Sequence, residues 1–204
     1  MMLDIGYGPA DTTVTEVCYH FPVGHLGSGR WLWPAVVPAG NKIFGRIQAL
    51  QVSDTLNLTI RSFQQGFAVP SVKTPAVVYG VTTATSVATP FVQTAGSTNT
   101  KTAFETIATT TQPHQFITVS ANAPSITSVS TNFEALIDFA VVKDGADSII
   151  YPDVWWNLTA SETASFRGTV MPIVGPFPTG TVLRARYQVS VVGISRPAVA
   201  FCGW

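Results

Sequence analysis

The sequence predicts an all-β protein, an antiparallel β-sandwich with a jelly roll or barrel as the alternative, and three observations carry that prediction. Apolar residues recur with a period of two in several stretches, Val and Thr are abundant, and Gly- and Pro-containing turns punctuate the chain. Strict alternation places successive side chains on opposite faces of a half-buried strand. β-Branched residues are stiff and fit a pleated surface. Many short strands of this kind pack as a sandwich or close as a barrel.

Taken in order, residues 1–11 contain Gly and Pro and form a candidate N-terminal arm of one β-rich domain spanning 1–204. A strand is expected over 13–21, and another over 42–52 after the turn Pro38-Ala39-Gly40-Asn41. Leu56, Leu58 and Ile60 alternate with Asn57, Thr59 and Arg61, which predicts a half-buried strand. Two charge-free stretches follow, 74–100 and 106–133, both rich in Thr, Ser, Val and Ala. Linkers usually carry more Gly and charge, so these are expected to be ordered and paired with something, and 74–132 is a candidate extended insertion or arm. Thr102 with Glu105 matches a capping box, so at most one short helix is expected there, stopped by Thr109-Thr110-Thr111 and Pro113. Strands are expected over 115–120, 148–158 and 165–174. Phe133, Ala135, Ile137, Phe139 and Val141 form a stripe opposite Glu134 and Asp138. Leu183, Ala185, Tyr187, Val189 and Val191 form another, opposite Arg184, Arg186, Gln188 and Ser190. Lys143-Asp144-Gly145-Ala146-Asp147 reads as a hairpin loop, and Gly175-Pro176-Phe177-Pro178-Thr179-Gly180 as a second strand connection.

Composition bounds the function. The 204 residues are 46% apolar but only 11% charged, less than half of the usual charged fraction of about 25%. Such a chain buries a sizeable core, and its surface is covered by Thr, Ser, Asn and Gln or by other chains. Eleven basic residues balance eleven acidic ones. No basic run exists to neutralise phosphates, the pair Arg184 and Arg186 being too little, so no nucleic acid partner is expected. No stretch of 18 apolar residues occurs, so no spanning helix and no membrane partner are expected. Asp4 stands where a signal peptide needs a base, so no secretory leader is expected, and the Asn57 and Asn157 glycosylation patterns carry no weight without one. Zero net charge removes like-charge repulsion and favours association near neutral pH.

No motif names a chemistry. Cys18, His20 and His25 are the best metal candidate, since Cys18 and His20 share a strand face, but the usual second ligand pair is missing and a structural role is the plain alternative. No metal and no cofactor are therefore expected. Gly27-Ser28-Gly29 has a serine without the strand-to-helix turn of a nucleophile elbow. Glu134 and Asp138 lie about 13 Å apart along one strand, too far for a glycosidase pair, and the plain alternative is a solvated face. No enzymatic activity is expected. Cys18 and Cys202 sit near opposite chain ends; two reduced, buried thiols are the default, and a disulfide between them would staple the ends together.

The tryptophans remain. Trp31, Trp33, Trp155, Trp156 and Trp204 are the candidate interface or ligand contacts, because a large rigid ring gains contact area at little entropic cost. Adjacent Trp155 and Trp156 point to opposite faces, so one is expected in the core and the other exposed or at an interface. Trp204 with Phe201 suggests a docked tail. The alternative is that these rings are simply core.

The Met1 start, the Gly/Pro-containing N-terminal stretch, the charge-free segments 74–100 and 106–133, and strands such as Leu56-Asn57-Leu58-Thr59-Ile60 and Thr181-Val182-Leu183-Arg184-Ala185-Arg186 together resemble the structural proteins of tailed-phage virions. The resemblance is one of composition over the full length and carries no functional residue. It implies a capsid decoration (cement) protein or a tail or fibre subunit, assembled in the host cytoplasm into the virion. Its expected partners are copies of itself, as a trimer or higher, and other virion proteins such as a major capsid protein. A carbohydrate-binding module or receptor-binding lectin is the alternative, with glycan stacked on tryptophan platforms such as Trp155-Trp156-Asn157.

Overall fold

The computed structural model describes residues 2–10, 14–22, 30–31, 35–48, 57–60, 76–81, 98–122, 133–158, 164–166, 169–170, 172–190 and 198–204. They form fourteen strands: β1 (Met2–Gly8), β2 (Thr15–Pro22), β3 (Arg30–Trp31), β4 (Lys42–Gln48), β5 (Val77–Tyr79), β6 (Glu105–Thr109), β7 (His114–Asn122), β8 (Phe133–Lys143), β9 (Ala146–Leu158), β10 (Ala164–Phe166), β11 (Thr169–Val170), β12 (Ile173–Phe177), β13 (Val182–Val189) and β14 (Ala198–Gly203). No helix occurs among the described residues.

Three antiparallel sheets stack as layers, and a short parallel pair, β11-β3, stands beside them in the topology. The largest sheet has the order β10-β9-β8-β13-β6, the central one β12-β7-β14-β5, and the outer one β2-β1-β4. The two cores reveal the stacking. Ile137, Phe139, Leu183, Tyr187 and Trp156 of the large sheet pack on Ile117, Val119, Phe201 and Tyr79 of the central sheet. The reverse face of the central sheet presents Phe116, Cys202 and Trp204 to Leu3, Ile5, Val17, Cys18 and Phe21 of the outer sheet. β7 and β14 are therefore covered on both faces, which explains why 114–122 has no Asp, Glu, Lys or Arg: a strand between two layers has little solvated face. An edge-to-face pair joins the first two layers, Phe139 and Phe201 lying 5.4 Å apart at 85°.

The alternating stripes land as the period of two requires. β13 runs half-buried and buried in strict turn, with Leu183, Ala185, Tyr187 and Val189 inward. The β8–β9 hairpin closes at Lys143↔Ala146 through Asp144 and Gly145, at φ 52° and 80°, the two positive angles a primed two-residue turn needs.

Several expectations are corrected. The capping box at Thr102 starts no helix; 105–109 is β6, paired with β13, and Thr102 Oγ1 accepts the Tyr187 N–H at 3.2 Å instead. A strand edge wanting partners outcompeted a local capping bond. Residues 57–60 form no strand among the described residues and are exposed, not a half-buried strand; Leu56 and Arg61 of that stripe lie outside the described residues. The expected strand over 165–174 is divided among β10, β11 and β12. The candidate arm over 1–11 contains β1, the middle strand of the outer sheet, whose Met2, Leu3 and Ile5 are buried. The candidate insertion over 74–132 contributes β5, β6 and β7 to two layers.

Candidate functional site

Four features of the described residues bear on function: a charged cluster, a buried imidazole, the tryptophans, and an apolar strip on the outer sheet.

The cluster grows from the outer face of β8. Asp138 is 2% exposed and accepts the Asp153 N–H and Arg186 Nε at 2.8 Å each, with Lys101 Nζ bridging Asp138 to Asp153. These residues lie on neighbouring strands because 99–102 continues the line of β6 beside β13, Asn99 N–H reaching Val189 O and Thr102 N–H reaching Tyr187 O. Arg186 also covers the Phe104 ring, 4.5 Å from its centroid. Burial alone would push the Asp138 carboxyl up; the Asp153 N–H, Lys101 and Arg186 outweigh it and hold it below the ordinary carboxylate range. A carboxylate so held stays ionised and occupied, and its work is to tie strands together. Glu134, its candidate partner, is exposed. Arg184 makes a second tie, with both Asp147 oxygens at 2.9 Å. The two arginines that share this face therefore face carboxylates.

His114 opens β7 inside the protein, 1% exposed. Its Nε2 lies 2.7 Å from the Tyr79 hydroxyl, which also accepts the Thr111 N–H at 3.2 Å. Burial lowers its pKa, so the ring is neutral at physiological pH. Gly203 lies against it: a Cβ there would stand 2.7 Å from the ring.

The tryptophans divide. Trp156 is 0% exposed in the main core and Trp204 3% exposed in the second, its N–H and C=O continuing the ladder to Phe116. A ring enclosed by its own chain has no face for a sugar or a neighbour, so contact roles at Trp156 and Trp204 give way to core packing. Trp155 is half-buried on the other face of β9. Trp31 lies in β3, with its side chain outside the described ones, and Trp33 lies outside the described residues. In the metal candidate, Cys18 faces Cys202 in the second core, whereas the side chain of His20 and all of His25 lie outside the described residues. Among the described residues no three metal-ligating side chains gather.

The strip was not found by sequence reasoning. β4 is an edge strand, paired among the described residues with β1 alone, and its side chains are exposed on both faces except for a half-buried Phe44. Register puts Ile43, Gly45 and Ile47 on the face of Leu3, Ile5 and Tyr7, the face that meets the central sheet. Yet Ile43 and Ile47 are 40% and 39% exposed. Leu58, at 42%, extends the strip, resting 3.1 Å from where a Gly45 Cβ would stand, and Ile60, two residues on, is 44% exposed. The charge in mid-strand, Arg46, is held by Asp4 directly opposite at 2.7 Å. An edge strand is normally guarded by free charge; this guard is neutralised.

No family model, no curated protein and no solved structure matches the chain.

Proposed function

We propose that the protein is a virion structural subunit, a capsid decoration (cement) or tail-associated protein that bridges neighbouring subunits and stabilises the particle. One observation carries this reading: a strand, β4, paired among the described residues with β1 alone, with Ile43, Ile47 and the neighbouring Leu58 exposed, in a chain of zero net charge. The occupant is a second copy of this chain. Apolar residues at the rim of a layered β body are complementary to another apolar surface, the Asp4–Arg46 pair leaves no unbalanced charge in mid-strand to repel it, and a head-to-tail contact whose rotation closes makes a ring of three or more. Other virion proteins would be gripped by the remaining charge-poor surface.

Mass in solution at micromolar concentration, by light scattering behind a sizing column, is the deciding test. A discrete trimer or larger ring, reduced to monomer by the double substitution Ile43→Asp and Ile47→Asp with the β-sheet circular dichroism unchanged, is the expected outcome. A wild-type monomer across the micromolar range would overturn it.

A further inference from the structure

The two cysteines stand 184 positions apart in sequence and meet inside the second core, with their Sγ atoms 3.4 Å apart and each residue at 0% exposure. Cys18 is carried by β2 of the outer sheet and Cys202 by β14 of the central sheet, so their contact crosses between layers. We propose that Cys18 and Cys202 are an oxidisable dithiol, closed by a low-molecular-weight disulfide into an intramolecular bond that fastens the outer sheet to the central one.

Geometry and inventory support this. The sulfurs need to approach by only about 1.4 Å to reach bonding distance. Cys202 sits mid-ladder, opposite Thr118 on β7 and Val78 on β5, and Cys18 opposite Ile5 on β1, so both positions are fixed by neighbouring strands. The chain has no third cysteine to compete. In the step itself, one protein thiol loses its proton and its thiolate attacks the small disulfide, expelling a small thiolate and leaving a mixed disulfide. The second protein thiolate then attacks the protein sulfur of that intermediate and expels the other small thiolate. The two cysteines are oxidised, the small disulfide is reduced to two thiols, and those thiols take up the two protons.

Two consequences follow. Complete burial pushes the Cys202 thiol well up, so thiolate is scarce in the closed fold and oxidation waits on a parting of the two layers. Once formed, the bond closes a loop of almost the whole chain, where the restriction of the unfolded state is greatest.

The test uses the full reduced chain, equilibrated with mixtures of oxidised and reduced glutathione in native buffer and in concentrated urea, with mild urea added to the native series to speed equilibration. Free thiols are then alkylated and the intact mass read. The folded chain is expected to become lighter by two hydrogens without a glutathione adduct, and to yield one linked peptide pair containing Cys18 and Cys202. Its effective thiol concentration should exceed that of the unfolded chain about a hundredfold, and its Tm should rise by roughly 4–16 °C on closure. An effective concentration no higher in the folded chain would overturn the proposal. So would a stable glutathione adduct, or a disulfide joining two chains.

Discussion

Asp138 stands on a strand whose apolar residues face the main core, and three donors converge on it: Arg186 of β13, the Asp153 N–H of β9, and Lys101 from the segment before β6. Removing one member of such a cluster leaves the others partly buried and unbalanced, which costs more than the cluster contributes. Asp138→Asn is therefore expected to destabilise the fold by about 2–4 kcal/mol in urea unfolding, discounted because Arg186 and Lys101 remain partly solvated. Asp147→Asn, which breaks a more exposed pair with Arg184, should cost about 0–1 kcal/mol. The pH dependence has a fixed sign. The folded carboxyl of Asp138 titrates below its ordinary 3.8, so its contribution is complete above that value and is lost as pH falls through the lower folded value. Acid unfolding of Asp138→Asn should accordingly be flatter below about pH 4 than that of wild type. Equal stabilities for the two Asp variants would refute the difference argued from burial.

At the scale of elements, the β8–β9 hairpin is the clearest case of a local signal deciding local structure. Asp144 and Gly145 both take positive φ, and a Cβ at Gly145 would meet nothing within 4 Å. The cost of Gly145→Ala is thus purely conformational, about 1–2 kcal/mol, and Gly145→Asn should cost less, since Asn tolerates this region. Thermal unfolding of the two variants reads the difference; an Ala variant as stable as wild type would remove the turn from the account. Where partners decide, local signals fail. Thr102 and Glu105 carry a helix start, yet 105–109 is an edge strand of the large sheet, because β13 offers it a ladder. Residues 57–60 carry a strand alternation, yet they form no strand among the described residues, and Leu58 lies over Gly45 instead. Both errors have one origin: pairing is a property of two segments and periodicity a property of one.

Across the whole molecule, three layers imply unequal protection. β7 and β14 lie between two cores, while β4 is an exposed end strand of the outer sheet. Amide exchange measured at low concentration should be slowest for Ile117, Val119, Phe201 and Cys202, and fastest among the strands for 43–47. Uniform protection would mean that the outer sheet does not open on its own, and oxidation of Cys18 and Cys202 would then require global unfolding. Fold class, the two main apolar stripes, the hairpin turn and the charge-poor character of the chain were legible from the sequence, because period, turn chemistry and composition are local or additive quantities. The tertiary structure alone decided that 114–122 is poor in charge because β7 is buried on both faces, that Trp156 and Trp204 are core, that Ile43 and Ile47 of β4 stay exposed, and that Cys18 and Cys202 touch. Each of these depends on which face meets which layer, and alternation along one strand says that a face is apolar without saying what, if anything, covers it.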